Sequence, residues 1–277
     1  MAQITAAAVA QLRKETGLPM MECKQALAET SGDPEKAKQY LREKGLKTQA
    51  TRLGRETDFG RLGLYTDLDA GVGAMVELKC ESAPVASNEE VVQFAADLAE
   101  QLATGPGAAT PEELLDQPSP SKAGRKLSEQ KDDLFNRIRE VFNVGRMVRF
   151  EGRCGGYVHS AGKPKGALLQ FEGGNAEAAK DVCMHIVAGE AEAVSQKDLD
   201  PAVVEQERAF QVEQAKKEGK PDNIVDKIVE GRMRNWFAER VLVDQPFVKD
   251  ESITVGQYAE QAGMKLIRFV RWELGKE

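Results

Sequence analysis

Residues able to do chemistry are few in this chain, and their spacing suits no reaction. Its two histidines, His159 and His185, share a stretch with Cys154 and Cys183. No two of these stand at a standard metal-ligand spacing, so no metal is expected. Cys23 and Cys80 complete the cysteines. Without a CxxC pair or a secreted framework, all four are expected to be buried free thiols in a reducing compartment. There is no GxxxxGK[ST] phosphate loop and no GxGxxG after a strand. The glycines from Gly152 to Gly166 read as hairpin turns between strands. No GxSxG nucleophile is present. The carboxylate pair Asp132-Asp133 falls on an expected solvated helix face, where acid–base work is not indicated. Nothing demands an enzyme or a cofactor.

One spacing points to contact rather than catalysis. The opening block from Leu12 to Leu27 places Met20 and Met21 side by side at the start of a short helix. Adjacent helical positions lie about 100° apart, so so small a helix can hardly bury both. Two readings stand on the residues alone. Both side chains wrap a tiny core, which the general burial of apolar groups favours. Alternatively, one of them is a docking point, since methionine adapts to irregular grooves.

The elements that position these residues belong to an ordinary globular chain. Its 277 residues suffice for two or three modest domains, and it is 41% apolar and 30% charged. A net charge of −7 argues against a broad nucleic-acid or acidic-membrane surface. No signal peptide and no membrane span are expected, which points to the cytoplasm.

Residues 1–46 read as three short helices. The first runs from an N-cap at Thr5 to a stop at Gly17. The second has Pro19 in its first turn and ends at Gly32, and the third opens at Asp33-Pro34 and ends at Gly45. Val9, Leu12, Cys23, Leu27, Ala37, Tyr40 and Leu41 can share one core. A basic linker, 47–60, follows. Residues 61–142 form a first core subdomain. It has a hairpin of 62–68 and 72–80, a loop of 81–87, a helix from Asn88 with Val91, Val92, Ala95, Leu98 and Leu102 inward, a Gly/Pro-rich connection and a helix from Leu127 to Phe142. Residues 143–277 repeat the scheme, with strands at 146–153, 156–160 and 166–171, a helix from Asn175 to Ala188 and a closing strand at 264–274. Within them, 200–240 reads as a projecting antiparallel helical hairpin. Its first helix carries Val203, Val204, Phe210 and Gln211, and Glu218-Gly-Lys-Pro221 makes the break. The class is α+β, with two antiparallel-sheet-plus-helix subdomains.

The Leu12–Leu27 block, with Ser31-Gly-Asp33 and Leu41 to Gly45, resembles bacterial translation elongation factor Ts. So do Glu77-Leu-Lys-Cys80, Tyr157 with His159, Met184-His185-Ile186, Gly219-Lys-Pro221, Val229 to Met233, Gln245-Pro-Phe247, Thr254 to Gln257 and Phe269 to Glu273, in that order. The resemblance implies a guanine nucleotide exchange factor for protein biosynthesis, which binds elongation factor Tu and promotes GDP release. It implies that the three-helix module resembles a ubiquitin-associated domain, with Leu12, Met20 and Met21 as contacts to the GTPase domain of Tu. It also implies a second grip near His159.

The chain departs from the family where a wedge is expected. Family members carry Thr-Asp-Phe-Val after that first-subdomain strand, but here Ser82-Ala83-Pro84-Val85 follows Cys80-Glu81. Losing the Phe removes on the order of 2 kcal/mol of apolar contact, offset in part by proline. The change keeps open an alternative: a holder or chaperone of Tu with the same fold and reduced exchange. A literal Thr57-Asp58-Phe59 lies earlier in the chain, in the wrong register for the wedge, and reads as coincidence.

Overall fold

The computed structural model describes residues 4–52, 54–219 and 221–276. Lys220, within the expected Gly-Lys-Pro break, lies outside them, as do Met1 to Gln3. The chain divides into two compact units, Met1–Gly63 with Met75–Val148 and Leu64–Ala74 with Arg149–Lys276.

The first unit opens with α1 (Ala6–Thr16), α2 (Met20–Glu29) and α3 (Pro34–Ala50). The Thr5 hydroxyl accepts the Ala8 N–H, and Gly17 ends α1 in the left-handed region, at φ 68°. Pro19 stands at the N-cap of α2, one place before the expected first turn. That helix stops at Glu29, short of Gly32. The Asp33 carboxylate accepts the Glu35 and Lys36 N–H groups to start α3. Val9, Leu12, Leu18, Cys23, Ala26, Leu27, Ala37 and Leu41 make the module's core, with Tyr40 packed against it.

The expected stop at Gly45 is wrong, because α3 runs on to Ala50. This glycine serves close approach. A Cβ there would lie 1.6 Å from Oδ1 of Asn136, which is itself buried.

The unit continues with β1 (Phe59–Asp67), β2 (Val72–Cys80), α4 (Ala83–Ala86), α5 (Glu89–Thr104), α6 (Pro111–Leu115), α7 (Leu127–Ile138) and β3 (Asn143–Glu151). The tip of the hairpin and the end of β3 pass into the second unit. Where a loop was expected at 81–87, α4 forms a single turn with Pro84 inside it. Val92 faces out of α5, not inward. Asp132 and Asp133 are half-buried rather than solvated, and Asp133 pairs with Arg125 at 2.9 Å.

The largest correction concerns β3. It was expected beside the next two strands, but it pairs with the hairpin, in the order β1-β2-β3. Glu77 in β2 is 1% exposed and needs a counter-charge. Arg146 of β3 supplies it through two hydrogen bonds, at 3.2 and 2.8 Å.

The second unit holds β4 (Cys154–His159), β5 (Lys165–Gly173), α8 (Ala176–Ala188), α9 (Pro201–Lys217), α10 (Asp222–Arg240), β6 (Pro246–Phe247), β7 (Asp250–Thr254), α11 (Val255–Gln261) and β8 (Met264–Glu273). The sheet is antiparallel, ordered β4-β5-β8, with β8 as the closing strand. Val182, Cys183 and Ile186 of α8 join Leu169 and Phe171 of β5 in its core. α9 and α10 meet through Ala215, Val225, Val229, Met233 and Phe237. Val203 and Phe210, read as seam residues, are exposed instead. The class is α+β with antiparallel sheets. No helix among the described residues is long and apolar enough to cross a membrane.

Gly45→Ala tests the close approach. In an open helix this change gains up to about 1 kcal/mol. Against Asn136 it is expected to cost about 1–3 kcal/mol instead, read as a lower urea midpoint.

Candidate functional site

Two small surfaces in the first unit stand out. Met20 and Met21, at the N-terminal end of α2, are 50% and 72% exposed, so the core reading fails for both. The module's core is filled without them. Leu12 is the opposite case. It is 1% exposed, at the centre of that core, and has no surface to offer.

The second surface is the turn after β2. Ala83 and Pro84 are exposed, Ser82 and Val85 are half-buried, and Ala86 is buried beneath them. The turn is held from several directions. Burial lifts the pKa of the Cys80 thiol to about 11, so it stays protonated at neutral pH. Its Sγ–H donates to the Ser82 carbonyl at 3.3 Å. The Ser82 N–H and Oγ–H donate to the two carboxylate oxygens of Glu140, at 3.1 and 2.6 Å. Burial opposes ionisation of Glu81, but Arg55 at 2.8 Å and the Val141 N–H at 2.8 Å outweigh it and keep its pKa below the usual range.

Among the described residues, no three His, Cys, Asp or Glu side chains cluster as metal ligands. What the two surfaces present is apolar side chains on rigid supports.

Comparison with known proteins places the chain. A family model described as elongation factor TS matches residues 81–276. Elongation factor Ts of Methylococcus capsulatus is 39% identical over 276 residues, covering 99% of this chain and 92% of the relative. That of Alkalilimnicola ehrlichii is 39% identical over 277 residues, with the same coverage. That of Clostridium botulinum strain Eklund 17B is 38% identical over 287 residues, covering 99% of this chain and 93% of its own.

The chain belongs to the elongation factor Ts family. It is accordingly a translation elongation factor, acting in protein biosynthesis.

In the second unit of this Ts-family chain, His159 is exposed at the end of β4, with its Nδ1 3.4 Å from the Tyr157 hydroxyl. The two line a recess of about 650 Å³ with Lys163, Lys165, Met184 and Val248. Two of the Ts-like motifs meet beneath it. His185 is buried, its Nε2–H donates to Gln245 Oε1 at 2.9 Å, and its Nδ1 accepts the Val248 N–H at 3.2 Å. These partners select the neutral ring.

Arg139 and Glu140 follow α7 and touch residues far away in the chain, and no local pattern in the sequence marks such partners. Thr57-Asp58-Phe59, out of register for the wedge, also lies close to the turn's supports. Phe59 is 45% exposed at the start of β1. Arg55, to one side of it, pairs with Glu81, and Arg61, to the other, reaches the Ala86 carbonyl at 3.5 Å. The Asp-Phe pair, although out of register, is thus on a segment tied to both ends of the turn.

The pKa of His185 is lowered by burial, against a smaller opposing effect of Gln245. The unfolded chain therefore binds this proton first as pH falls. The stability contributed is complete above about pH 6.5 and is lost as pH falls through the lower folded value. Melting temperatures measured from pH 7.5 down to pH 5 are expected to fall more steeply for the wild type than for His185→Gln.

Proposed function

We propose that this chain is a guanine nucleotide exchange factor, which binds elongation factor Tu and promotes release of its GDP. The observation that carries this reading is the exposure of Met20 and Met21 on a member of the Ts family. Two adjacent soft side chains left out of a complete core suit an adaptable protein groove. Met20, Met21, Ser82 to Val85 and His159 are the proposed Tu contacts, with Leu12 acting from beneath as support for the tip. The proposed divisions are a ubiquitin-associated-like module formed by α1 to α3, followed by two core subdomains; the linker expected at 47–60 overlaps the end of α3 and the start of β1, and the boundary expected at 142/143 would part β3 from the strands it pairs with. In this reading α9 and α10 form a projecting antiparallel hairpin. The proposed setting is the cytoplasm, with no direct nucleic-acid partner.

Such a protein needs no catalytic group. It must bind nucleotide-free Tu more tightly than GDP-bound Tu. By linkage it then weakens GDP binding by the same factor. Equal affinity for both forms would shift nothing. The differential is proposed to come from pressing the Ser82–Ala86 turn and the methionine tip against the GTPase. A net charge of −7 is compatible with an apolar, shape-based grip.

A second reading has one feature in its favour. Ala83 and Pro84 present less apolar bulk than the Asp-Phe that the resemblance implies there. A holder of Tu with little exchange activity would tolerate that loss.

Stopped-flow release of fluorescent GDP from the cognate Tu separates the two. The exchange reading expects clear acceleration at saturating protein. It also expects Met20→Ala/Met21→Ala to raise the half-saturating concentration about thirtyfold or more, at about 1–2 kcal/mol per methionine. Ala83→Asp/Pro84→Phe is expected to raise the maximal rate. No acceleration, with Tu still captured in a pull-down, selects the holder.

A further inference from the structure

Three consecutive residues hold both of the surfaces just described in the first unit. Arg139 Nη2 donates to Glu22 Oε2 at 2.6 Å, and Glu22 directly follows Met21. Glu140 takes the N–H and the hydroxyl of Ser82, the residue before Ala83-Pro84. The Val141 N–H donates to Glu81 at 2.8 Å.

The backbone under this cluster is unusual. Arg139 caps α7 in the left-handed region, at φ 64° and ψ 25°, where glycine is the ordinary choice. Its carbonyl is held in turn by the Arg52 guanidinium. A non-glycine residue keeps such a conformation when its surroundings over-determine it, and these contacts do so. A plain helix stop would be served better by glycine, which lacks the Cβ penalty. Glycine, however, has no guanidinium to reach Glu22.

We propose that Arg139-Glu140-Val141 is a brace that sets the methionine tip and the Ser82–Ala86 turn in one fixed relation. The protein then presents the two as a single preformed surface. The brace residues are positioning residues: they hold the segments that make contact. Presenting both contacts already arranged reduces the ordering cost of association, which otherwise falls on the complex. The exchange role of this brace rests on the function proposed above, whereas the mechanical coupling does not.

The test has two arms. In the first, amide hydrogen exchange is followed on the free full-length protein. Arg139→Gly keeps a left-handed cap and removes the Glu22 pair. It is expected to speed exchange at residues 20–24 and also at 82–87. Unchanged protection at 82–87 would overturn the brace, leaving Arg139 as a helix cap only. In the second arm, GDP release from Tu is measured. Arg139→Gly and Arg139→Glu are each expected to raise the half-saturating concentration about threefold to tenfold, at unchanged circular dichroism. The charge exchange Glu22→Arg/Arg139→Glu is expected to bring it back to within about twofold of wild type. A constant unmoved by the single variants, or not restored by the double one, would also overturn the proposal. If wild-type protein fails to accelerate release at all, the exchange reading fails, and the hydrogen-exchange arm still decides the brace.

Discussion

A carboxylate buried in the middle of a sheet organises the first unit. Glu77 sits within β2, a strand almost wholly withdrawn from water. An unpaired charge there would cost several kcal/mol, so the chain must deliver a cation to it. Lys79 of the same strand stands 3.8 Å away, but Arg146 makes the hydrogen bonds, and it brings β3 against β2. Gly152 at the far end of β3 donates to the Gly71 carbonyl at the hairpin tip, so the two strands run antiparallel. Antiparallel pairing has a consequence beyond the sheet. The residues just before β3 must lie beside those just after β2. Glu140 therefore meets Ser82, and Val141 meets Glu81. The clamp on the exposed turn follows from the same pairing that satisfies Glu77.

The two exposed surfaces share a design in which little is soft except the contacting side chains. The turn is fixed by a thiol, a carboxylate and a backbone amide, and it presents Ala83 and Pro84 most fully to the outside, with Ser82 and Val85 half-buried. The methionine tip rests on a closed core, with Leu12 and Cys23 behind it. In the proposed role this division is useful. A protein that acts by favouring one state of its partner must not yield when it presses, or the strain falls on itself. Side-chain adaptability at the tip and backbone rigidity behind it meet both needs.

Much of the fold was legible where the cause is local. Thr5, Asp33, Asn88, Asn175 and Asp200 announce helix starts, and in each case the side chain accepts an N–H from the first turn. The first hairpin and the closing strand could be read from alternation and β formers. Thr254 and Gln257 form a capping box that starts α11, a helix the sequence reading did not include. What failed depended on distant partners. Gly45 looks like a stop until Asn136 is placed against it. Arg146 looks like the start of a second sheet until Glu77 needs it. Val203 and Phe210 fit a helical seam, but the seam that forms runs through Ala215 and α10. Of the site residues, the methionines were open on pattern alone. Deciding them needed the count of side chains the small core can hold.

The Asp-Phe pair at 58–59 shows where reading by register stops being informative. A motif is aligned along the chain, but a partner meets a surface. Asp58 and Phe59 stand more than twenty places before Pro84 in sequence, and on that ground they were dismissed. Their segment is nonetheless tied to the turn, by Arg55 at Glu81 and by Arg61 at Ala86. A short turn gripped at both ends by one neighbouring segment shares its environment with that segment, whatever their separation along the chain. The apolar bulk that Ala83 and Pro84 lack therefore has an exposed aromatic ring on the adjoining strand, at Phe59. Register excludes this ring from the motif. It does not exclude it from the surface on which the motif stands.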